Sequence, residues 1–299
     1  MAETHRIGRD EDDPDGAGLT VGAEHGAGPI GVFDSGIGGL SVLRALRAEM
    51  PDEHFVYFSD AGHAPYGERD EAHVVERSLA VAHELVDRQA VKALVVACNT
   101  ATAAAIQILR DTYPALPLVG VEPALKPAVA ASRTRNIAVL ATRGTATSRK
   151  FDALRRSLSA QARFTVVACD GLAGAIERDD ATAIAALCAR YIAEAGRFGM
   201  RPDEIDTLVL GCTHYPFVVD ELRRHVGPEV RFIETGSAVA RHARSLLSAA
   251  GSLTTRTAPG DVRLVGSGGN DDLLHAALER WLGPAGPAPR RAVETAVAA

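Results

Sequence analysis

Two short apolar segments, each ending on a cysteine, constrain the fold of this chain more than any other feature. They are ALVVACNTA at 93–101 and TLVLGCTHYP at 207–216. A short run rich in Val and Leu is typical of a buried parallel strand, and open α/β sheets bind ligands at the carboxyl ends of such strands. The two copies predict two related lobes, each of which places one thiol, Cys98 or Cys212, in a shared cleft.

The rest of the chain alternates between strand-like and helix-like patterns. Strands are predicted at 29–34, 54–59, 93–98, 117–122, 136–141, 164–169, 206–211, 230–234 and 261–267. Helices are predicted at 40–49, 70–89, 101–112, 147–159, 181–197, 216–226, 237–249 and 271–282. This alternation predicts an α/β fold of two pseudo-symmetric lobes, each a mostly parallel sheet flanked by helices, with the active site between them.

Proline residues suggest where the chain passes from one lobe to the other. Pro123 and Pro127 follow the fourth strand and indicate a crossing. We therefore predict a first lobe at 29–123 plus 230–283, to which the last block of the chain returns. The second lobe is predicted at 124–229.

Both ends of the chain differ in composition from this core. Residues 1–28 hold seven carboxylates and two arginines, without an apolar run long enough for a signal peptide or a membrane span. They predict a disordered acidic leader, and 284–299 predicts a loose tail. Because no other segment could cross a bilayer, we expect a cytoplasmic protein without a membrane partner. The formal net charge of −6 argues against nucleic acid as the main partner.

The residue types available for cofactors are few. The four cysteines form no CxxC pair and have no metal-ligand spacing with histidine, so we expect reduced thiols and no metal site. Cys188 falls on the apolar stripe of a helix and is expected in the core. Cys169 ends a predicted strand beside Asp170 and would be either structural or near the cleft. The chain has three lysines, none in a setting that suggests a pyridoxal Schiff base. We therefore expect no cofactor.

Polar residues follow both sheet-edge cysteines, namely Asn99 and Thr100 in the first copy and Thr213 and His214 in the second. The free N–H groups at the start of a helix favour the thiolate form of such a cysteine and would lower its pKa from the usual value of about 8.5 to about 7. His214 would either relay protons to the second thiol or be a structural histidine that bonds to the backbone. Two thiols on opposing lobes suit the removal of a proton from one face of a carbon and its return to the other, which is a racemisation or epimerisation. Amides at helix starts would stabilise the carbanion.

Two further loops carry polar groups at predicted strand ends. DSGIGG at 34–39 matches neither common nucleotide motif and predicts a tight turn whose amides suit a carboxylate. Its Asp34 would hold an ammonium group, act as a base or cap a helix. ATRGTATS at 141–148 offers threonine hydroxyls that would either cap a helix or bind a ligand.

Taken together, FDSGIGGLSV, PYG, ACNTA and LGCTHYP resemble the glutamate racemases of the aspartate/glutamate racemase superfamily. The similarity runs in order from about Pro29 to the final helix. It implies a cofactor-independent enzyme that interconverts L- and D-glutamate and supplies D-glutamate for peptidoglycan. It also implies a homodimer with a small-molecule substrate.

The resemblance also implies roles for individual residues. Cys98 would deprotonate D-glutamate with help from Asp34, and Cys212 would deprotonate L-glutamate with help from His214. Glu177 matches an acidic family position near the second cysteine. The family's substrate-binding positions match Asp34, Ser35, Pro65, Tyr66, Gly67, Asn99, Thr100, Thr142, Thr145, Thr213 and His214.

The chain departs from the common family pattern in two places. Asp170 stands where relatives commonly have proline, which affects the loop before Glu177. His63 lies near a position where relatives commonly have arginine.

Three alternatives to a glutamate racemase fit the sequence. The first is a racemase of aspartate or another amino acid on the same fold. The second is a thiol hydrolase or acyl transferase that uses Cys212 and His214. The third is a binding or regulatory protein, in which neither thiol would be needed.

Overall fold

The computed structural model describes residues 28–268 and 271–282. The predicted leader, except for Gly28, and the predicted tail at 284–299 lie outside these residues. For the first three residues of the last helix, only the backbone is described.

Nine strands lie within the described residues and form two parallel sheets. They are β1 (Ile30–Asp34), β2 (Phe55–Ser59), β3 (Ala93–Val96), β4 (Leu118–Gly120), β5 (Asn136–Ala141), β6 (Arg163–Ala168), β7 (Thr207–Leu210), β8 (Arg231–Ile233) and β9 (Val262–Gly266). The first sheet has the order β4-β3-β1-β2-β9, and the second has the order β6-β5-β7-β8. All seven strand pairs are parallel. The predicted α/β class is therefore confirmed.

Helices connect the strands, as parallel pairing requires. They are α1 (Leu40–Glu49), α2 (Glu71–His83), α3 (Asn99–Thr112), α4 (Leu125–Ala131), α5 (Arg143–Ala146), α6 (Arg149–Ser157), α7 (Leu172–Glu177), α8 (Ala181–Ala195), α9 (Val219–Arg223), α10 (Gly236–Ala249) and α11 (Asp271–Leu282). Side chains cap several of these helices: Asp70 accepts the amide of His73 at the start of α2, and Asp180 accepts that of Ala183 at the start of α8. No helix in the described part of the chain is both long and apolar enough to span a bilayer.

The sheets are hydrophobic because both of their faces are covered. Every residue of β1, β2, β3 and β7 is buried, as expected for parallel strands between layers of helices. One apolar cluster contains side chains of both sheets, among them Val32 and Leu208. Tyr57 of β2 is fully buried, and its hydroxyl donates to the carbonyl of Gly36 at 2.7 Å. The core thus fixes the glycine-rich loop that follows β1.

The predicted lobe limits need one correction. Residues 230–283 were expected in the first lobe, but β8 pairs with β7 in the second sheet. The short connection through α9 places β8 beside the strand that precedes it, which is the usual arrangement for consecutive parallel strands. Farther along the chain, α10 packs against α1 and β9 pairs with β2, both in the first sheet's layer. The remaining limits, 29–123 and 124–229, stay a prediction.

Several helices also differ from their predicted bounds. The helix expected at 70–89 ends at His83 and continues as one wider turn, Glu84–Arg88. The helix expected at 216–226 is a 3₁₀ turn, Tyr215–Val218, followed by α9. The short helices α4, α5 and α7 were not predicted, because four to seven residues carry too little of the 3.6-residue period to be recognised.

Candidate active site

The predicted site residues gather at the carboxyl ends of strands from both sheets. Cys98 follows β3 and precedes α3, and Asp34 is the last residue of β1. Cys212 follows β7 in the second sheet, and Thr142 follows β5. This is the edge at which open parallel sheets bind ligands. The sequence prediction that both cysteines face one cleft agrees with this placement.

The two sheet edges enclose a small cavity of about 20 Å³, which is about the space of one ordered water. Predicted site residues that line it are Ser35, Pro65, Tyr66, Gly67, Cys98, Asn99, Thr100, Thr142, Glu177, Cys212, Thr213 and His214. Ala64 and Ala173 line it as well. Sequence reasoning did not find these two alanines, because a methyl group carries no chemical signal of a site.

Asp34 and Thr145, two other predicted site residues, lie behind this lining. Asp34 is fully buried and accepts hydrogen bonds from the Gly36 amide at 2.8 Å and from the Thr213 hydroxyl at 3.1 Å. Thr145 is 1% exposed and accepts a hydrogen bond from the Thr142 hydroxyl at 3.0 Å. In this arrangement both residues hold side chains that face the cavity.

Cys212, His214 and Glu177 form a hydrogen-bonded chain. Nδ1 of His214 lies 3.6 Å from Sγ of Cys212, and its Nε2 lies 2.5 Å from Oε1 of Glu177. Burial alone would lower the pKa of His214, but its hydrogen bonds to Cys212 and Glu177 outweigh burial and raise that pKa well above the usual value. A protonated imidazole next to a thiol stabilises the thiolate. The expected partnership of His214 with Cys212 thus has a geometric basis, which extends to Glu177.

Glycines in the loop after β1 leave room for this chain. A β-carbon on Gly36 would lie 1.9 Å from Oε1 of Glu177, and one on Gly38 would lie 2.4 Å from Nδ1 of His214. The amide of Ile37 donates to Oε1 of Glu177 at 2.8 Å. The loop was expected to offer its amides to a bound carboxylate. In the structure, the Ile37 amide binds a carboxylate of the protein itself.

Cys98 lies in a different electrostatic environment. Its Sγ accepts the amide of Ala101 at 3.5 Å at the start of α3, and it lies 3.8 Å from the hydroxyl of Ser35. Burial and the negative charge of Asp34 nevertheless raise the pKa of Cys98 to about 12. The prediction of a lowered pKa is therefore wrong for Cys98, because burial and a buried carboxylate outweigh one helix amide.

Two polar contacts complete the cavity wall. Oδ1 of Asn99 is buried and has no hydrogen-bond partner among the described residues, while its Nδ2 donates to the carbonyl of Val121 at 3.4 Å. The hydroxyls of Thr100 and Thr142 lie 3.0 Å apart and connect the start of α3 with the residue that follows β5, across the cleft. The free amide oxygen is an acceptor for a ligand's N–H group.

Known proteins share both the sequence and the fold of this chain. The family model of Asp/Glu/hydantoin racemase matches residues 39–243. The chain is 48% identical over 260 residues to a glutamate racemase of Methylococcus capsulatus, which covers 86% of this chain and 92% of that protein. The structure of this chain resembles that of a glutamate racemase isoform from Bacillus anthracis, with a TM-score of 0.76 and 29% sequence identity. The match covers 87% of this chain and 95% of that one.

A further structural relative was solved with a ligand. The glutamate racemase of Francisella tularensis, in complex with D-glutamate, matches with a TM-score of 0.72 and 27% identity, over 85% of this chain and 93% of that one. The sequence motifs, the two parallel sheets and the paired thiols thus agree with a single family. This chain belongs to the Asp/Glu/hydantoin racemase family.

Proposed function

We propose that this chain is a cofactor-independent racemase that interconverts L- and D-glutamate and supplies D-glutamate for peptidoglycan. The observation that carries the proposal is that Cys98 and Cys212, which follow strands of different sheets, line the same cavity. Similarity to proteins named glutamate racemase supports glutamate as the substrate. A reaction at a carbon between two thiols needs one of them as the base and the other as the acid.

The proposed reaction removes a proton from one face of the α-carbon and adds another proton to the opposite face. The Cys212 thiolate removes the α-proton of L-glutamate and becomes a thiol. The Cys98 thiol then donates its proton to the opposite face of the carbanion and becomes a thiolate, which gives D-glutamate. The reverse reaction begins from the opposite protonation state, and exchange with water restores either state.

The contacts of the two thiols suggest that they are unequal partners. The raised pKa of Cys98, about 12, favours the protonated acid at this position. His214, held by Glu177, lies 3.6 Å from Sγ of Cys212 and would exchange protons with this thiol. The resting arrangement therefore suits L-glutamate. Asp34 would act on Cys98 through its charge, and burial raises the pKa of Asp34 itself although His214 opposes this effect.

We propose binding roles for the residues of the cavity lining. The free Oδ1 of Asn99 would accept a hydrogen bond from the substrate ammonium group. Thr100, Thr142 and Thr213 line the cavity and would contact its carboxylates. The remaining contacts would come from Ser35, Pro65, Tyr66, Gly67 and His214. Asp34 and Thr145 would hold the lining in place.

Racemisation in deuterated water tests this proposal. Circular dichroism should show L-glutamate losing its signal, and mass spectrometry should show deuterium at the α-carbon of the product. Cys98→Ser and Cys212→Ser should each reduce turnover in both directions by at least about 10³-fold, because either change removes one of two essential proton carriers. Normal racemisation by one of these variants would contradict the two-thiol mechanism. Turnover of aspartate without turnover of glutamate would instead identify an aspartate racemase.

A thiol hydrolase is a second candidate, because Cys212, His214 and Glu177 form a nucleophile–base–acid chain. Such an enzyme would need only one thiol, so Cys98→Ala should leave it active. The racemase proposal expects the opposite result. Screening wild type and Cys98→Ala against thioester and amide substrates distinguishes the two.

The resemblance to glutamate racemases also suggests where and with what the chain acts. We propose a cytoplasmic homodimer that binds a small-molecule substrate and has no nucleic acid or membrane partner. Sedimentation velocity at micromolar concentration tests the dimer, for which a mass of about twice 31.4 kDa is expected.

A further inference from the structure

A buried ion pair lies directly behind one wall of the cavity. Asp60, which follows β2, is fully buried and accepts hydrogen bonds from Nε and Nη2 of Arg77 at 3.1 and 3.0 Å. Arg77 belongs to α2, and its side chain is 11% exposed. Both residues lie outside the set that lines the cavity, and none of the sequence motifs includes Arg77.

The same carboxylate also binds the wall itself. The hydroxyl of Tyr66 donates to Oδ2 of Asp60, and Nδ1 of His63 lies 3.0 Å from Oδ1. Tyr66 is 1% exposed and lines the cavity together with its two neighbours in the chain. Asp60 therefore connects the guanidinium of Arg77 to residues 64–67, which face the cavity.

The strength of this connection depends on the charge of Asp60. Burial would raise the pKa of Asp60, but hydrogen bonds from Arg77, Tyr66 and Ser267 outweigh burial and lower it. An ionised acceptor makes the bond from the tyrosine hydroxyl charge-assisted and thus stronger. A carboxylate at this depth stays ionised only beside a compensating charge, which the guanidinium supplies through two parallel hydrogen bonds.

We infer that Arg77 is a positioning residue: by orienting the Asp60 carboxylate it fixes the hydroxyl of Tyr66, and through it the 64–67 wall beside Cys98. The consequence for substrate binding rests on the proposed racemase function. The positioning of the wall does not depend on that function, because every contact that produces it lies within the protein. Arg77 acts through Tyr66 and does not touch the cavity itself.

A double-mutant cycle with Arg77→Lys and Tyr66→Phe tests the inference. Lysine keeps the charge but loses the two parallel hydrogen bonds, and phenylalanine keeps the ring but loses the hydroxyl. Each single variant should raise KM for glutamate about tenfold with kcat within about threefold, since a loosened wall weakens binding of the substrate and the transition state alike. In the Tyr66→Phe background, Arg77→Lys should add less than about twofold. Factors that multiply would show that Arg77 does not act through Tyr66 and would overturn the inference.

Alkylation of Cys98 by iodoacetamide gives a readout that does not depend on racemisation. Cys98 is 6% exposed beside the wall, and Cys188 is fully buried in the core. In both single variants, iodoacetamide should label Cys98 several-fold faster than in wild type. In the double variant, labelling of Cys98 should be no faster than in either single variant, and Cys188 should stay unlabelled in all of them. An unchanged labelling rate of Cys98 in Arg77→Lys would overturn the inference.

Arg88→Lys is the matched control. Arg88 lies in the turn that continues α2, and its exposed side chain pairs with Glu84 at 3.2 Å. Neither residue lines the cavity, so both readouts should stay at wild-type values. If Arg77→Lys exposes Cys188 and is therefore unfolded, Tyr66→Phe decides alone, and unchanged labelling of Cys98 in that variant contradicts the inference. A wild-type protein that fails to racemise glutamate would contradict the proposed function but would leave the labelling cycle fully interpretable.

Discussion

Replacement of Glu177 by glutamine removes the charge next to His214 while it preserves the size of the side chain. Oε1 of Glu177 lies 2.5 Å from Nε2 of His214 and accepts the Ile37 amide at 2.8 Å. Glutamine keeps an oxygen that can accept the amide, but it cannot stabilise an imidazolium through charge. The pKa of His214 should therefore fall, although the hydrogen bond to Cys212 still raises it, and a smaller fraction of the rings next to Cys212 should be protonated at pH 8.

The expected size of this effect follows from the burial of the pair. A hydrogen bond to a charged group contributes about 1.5–3 kcal/mol, and every 1.4 kcal/mol corresponds to about a factor of ten. His214 is 4% exposed, so solvent screens the interaction little. We expect kcat/KM to fall about 10- to 100-fold at pH 8 and by less at pH 6, where acid restores the imidazolium. Because the two enantiomers have equal free energies in solution, kcat/KM must fall equally for both.

Circular dichroism with L- and D-glutamate between pH 6 and pH 9 measures this change. Glu221→Gln is a matched control, because Glu221 lies 3.3 Å from His225 in a histidine–carboxylate pair outside the cavity lining. That variant should keep the wild-type rate and pH profile. If Glu177→Gln keeps kcat/KM within about threefold and shows the wild-type pH profile, the proposed relay through Glu177 is wrong.

Three further predictions concern other parts of the structure. Gly36→Ala should lower kcat/KM at least about tenfold while the fold persists, because the new β-carbon would lie 1.9 Å from Oε1 of Glu177 and would displace this carboxylate from His214. Steady-state kinetics measures the loss of activity, and far-ultraviolet circular dichroism checks the fold. Alkylation of Cys98 should speed up about tenfold per pH unit from pH 7 to pH 9, since its pKa is about 12, and a plateau near pH 8 would contradict this value. Asp206→Asn should lower the free energy of unfolding by about 2 kcal/mol at pH 7, as measured by urea denaturation. Burial raises the pKa of Asp206, but hydrogen bonds from Ser132, Thr134 and Arg133 outweigh burial and lower it below the usual value of 3.8. The ionised carboxylate therefore stabilises the fold fully above pH 3.8, and this stabilisation is lost as the pH falls through the native pKa. The difference in stability between wild type and Asp206→Asn should shrink in acid.

The sequence predicted those parts of the fold and site that depend on local patterns. The strands before Cys98 and Cys212 could be predicted because a buried parallel strand needs an unbroken apolar run. Placement of both thiols at one cleft followed from the rule that parallel strands end at the same edge. Most of the lining residues followed from the family motifs that contain them.

Features that depend on contacts distant in sequence could not be predicted. The bond between Glu177 and the amide of Ile37 joins residues that are 140 positions apart. The raised pKa of Cys98 depends on how deeply the folded chain buries it and Asp34 together, which the local helix start does not reveal. The pairing of β8 was missed because three residues of strand pattern do not specify which sheet they join.

The contact between Glu177 and Ile37 joins the layers of the two sheets at the carboxylate that holds His214. The amide follows β1 of the first sheet, whereas the carboxylate ends α7, which packs in the layer of the second sheet. Separation of the two sheet edges would break this hydrogen bond and leave the carboxylate with His214 as its partner. A ligand that holds the edges together would therefore also hold the carboxylate that orients His214, so that ligand binding and the geometry of the Cys212–His214–Glu177 chain would be coupled.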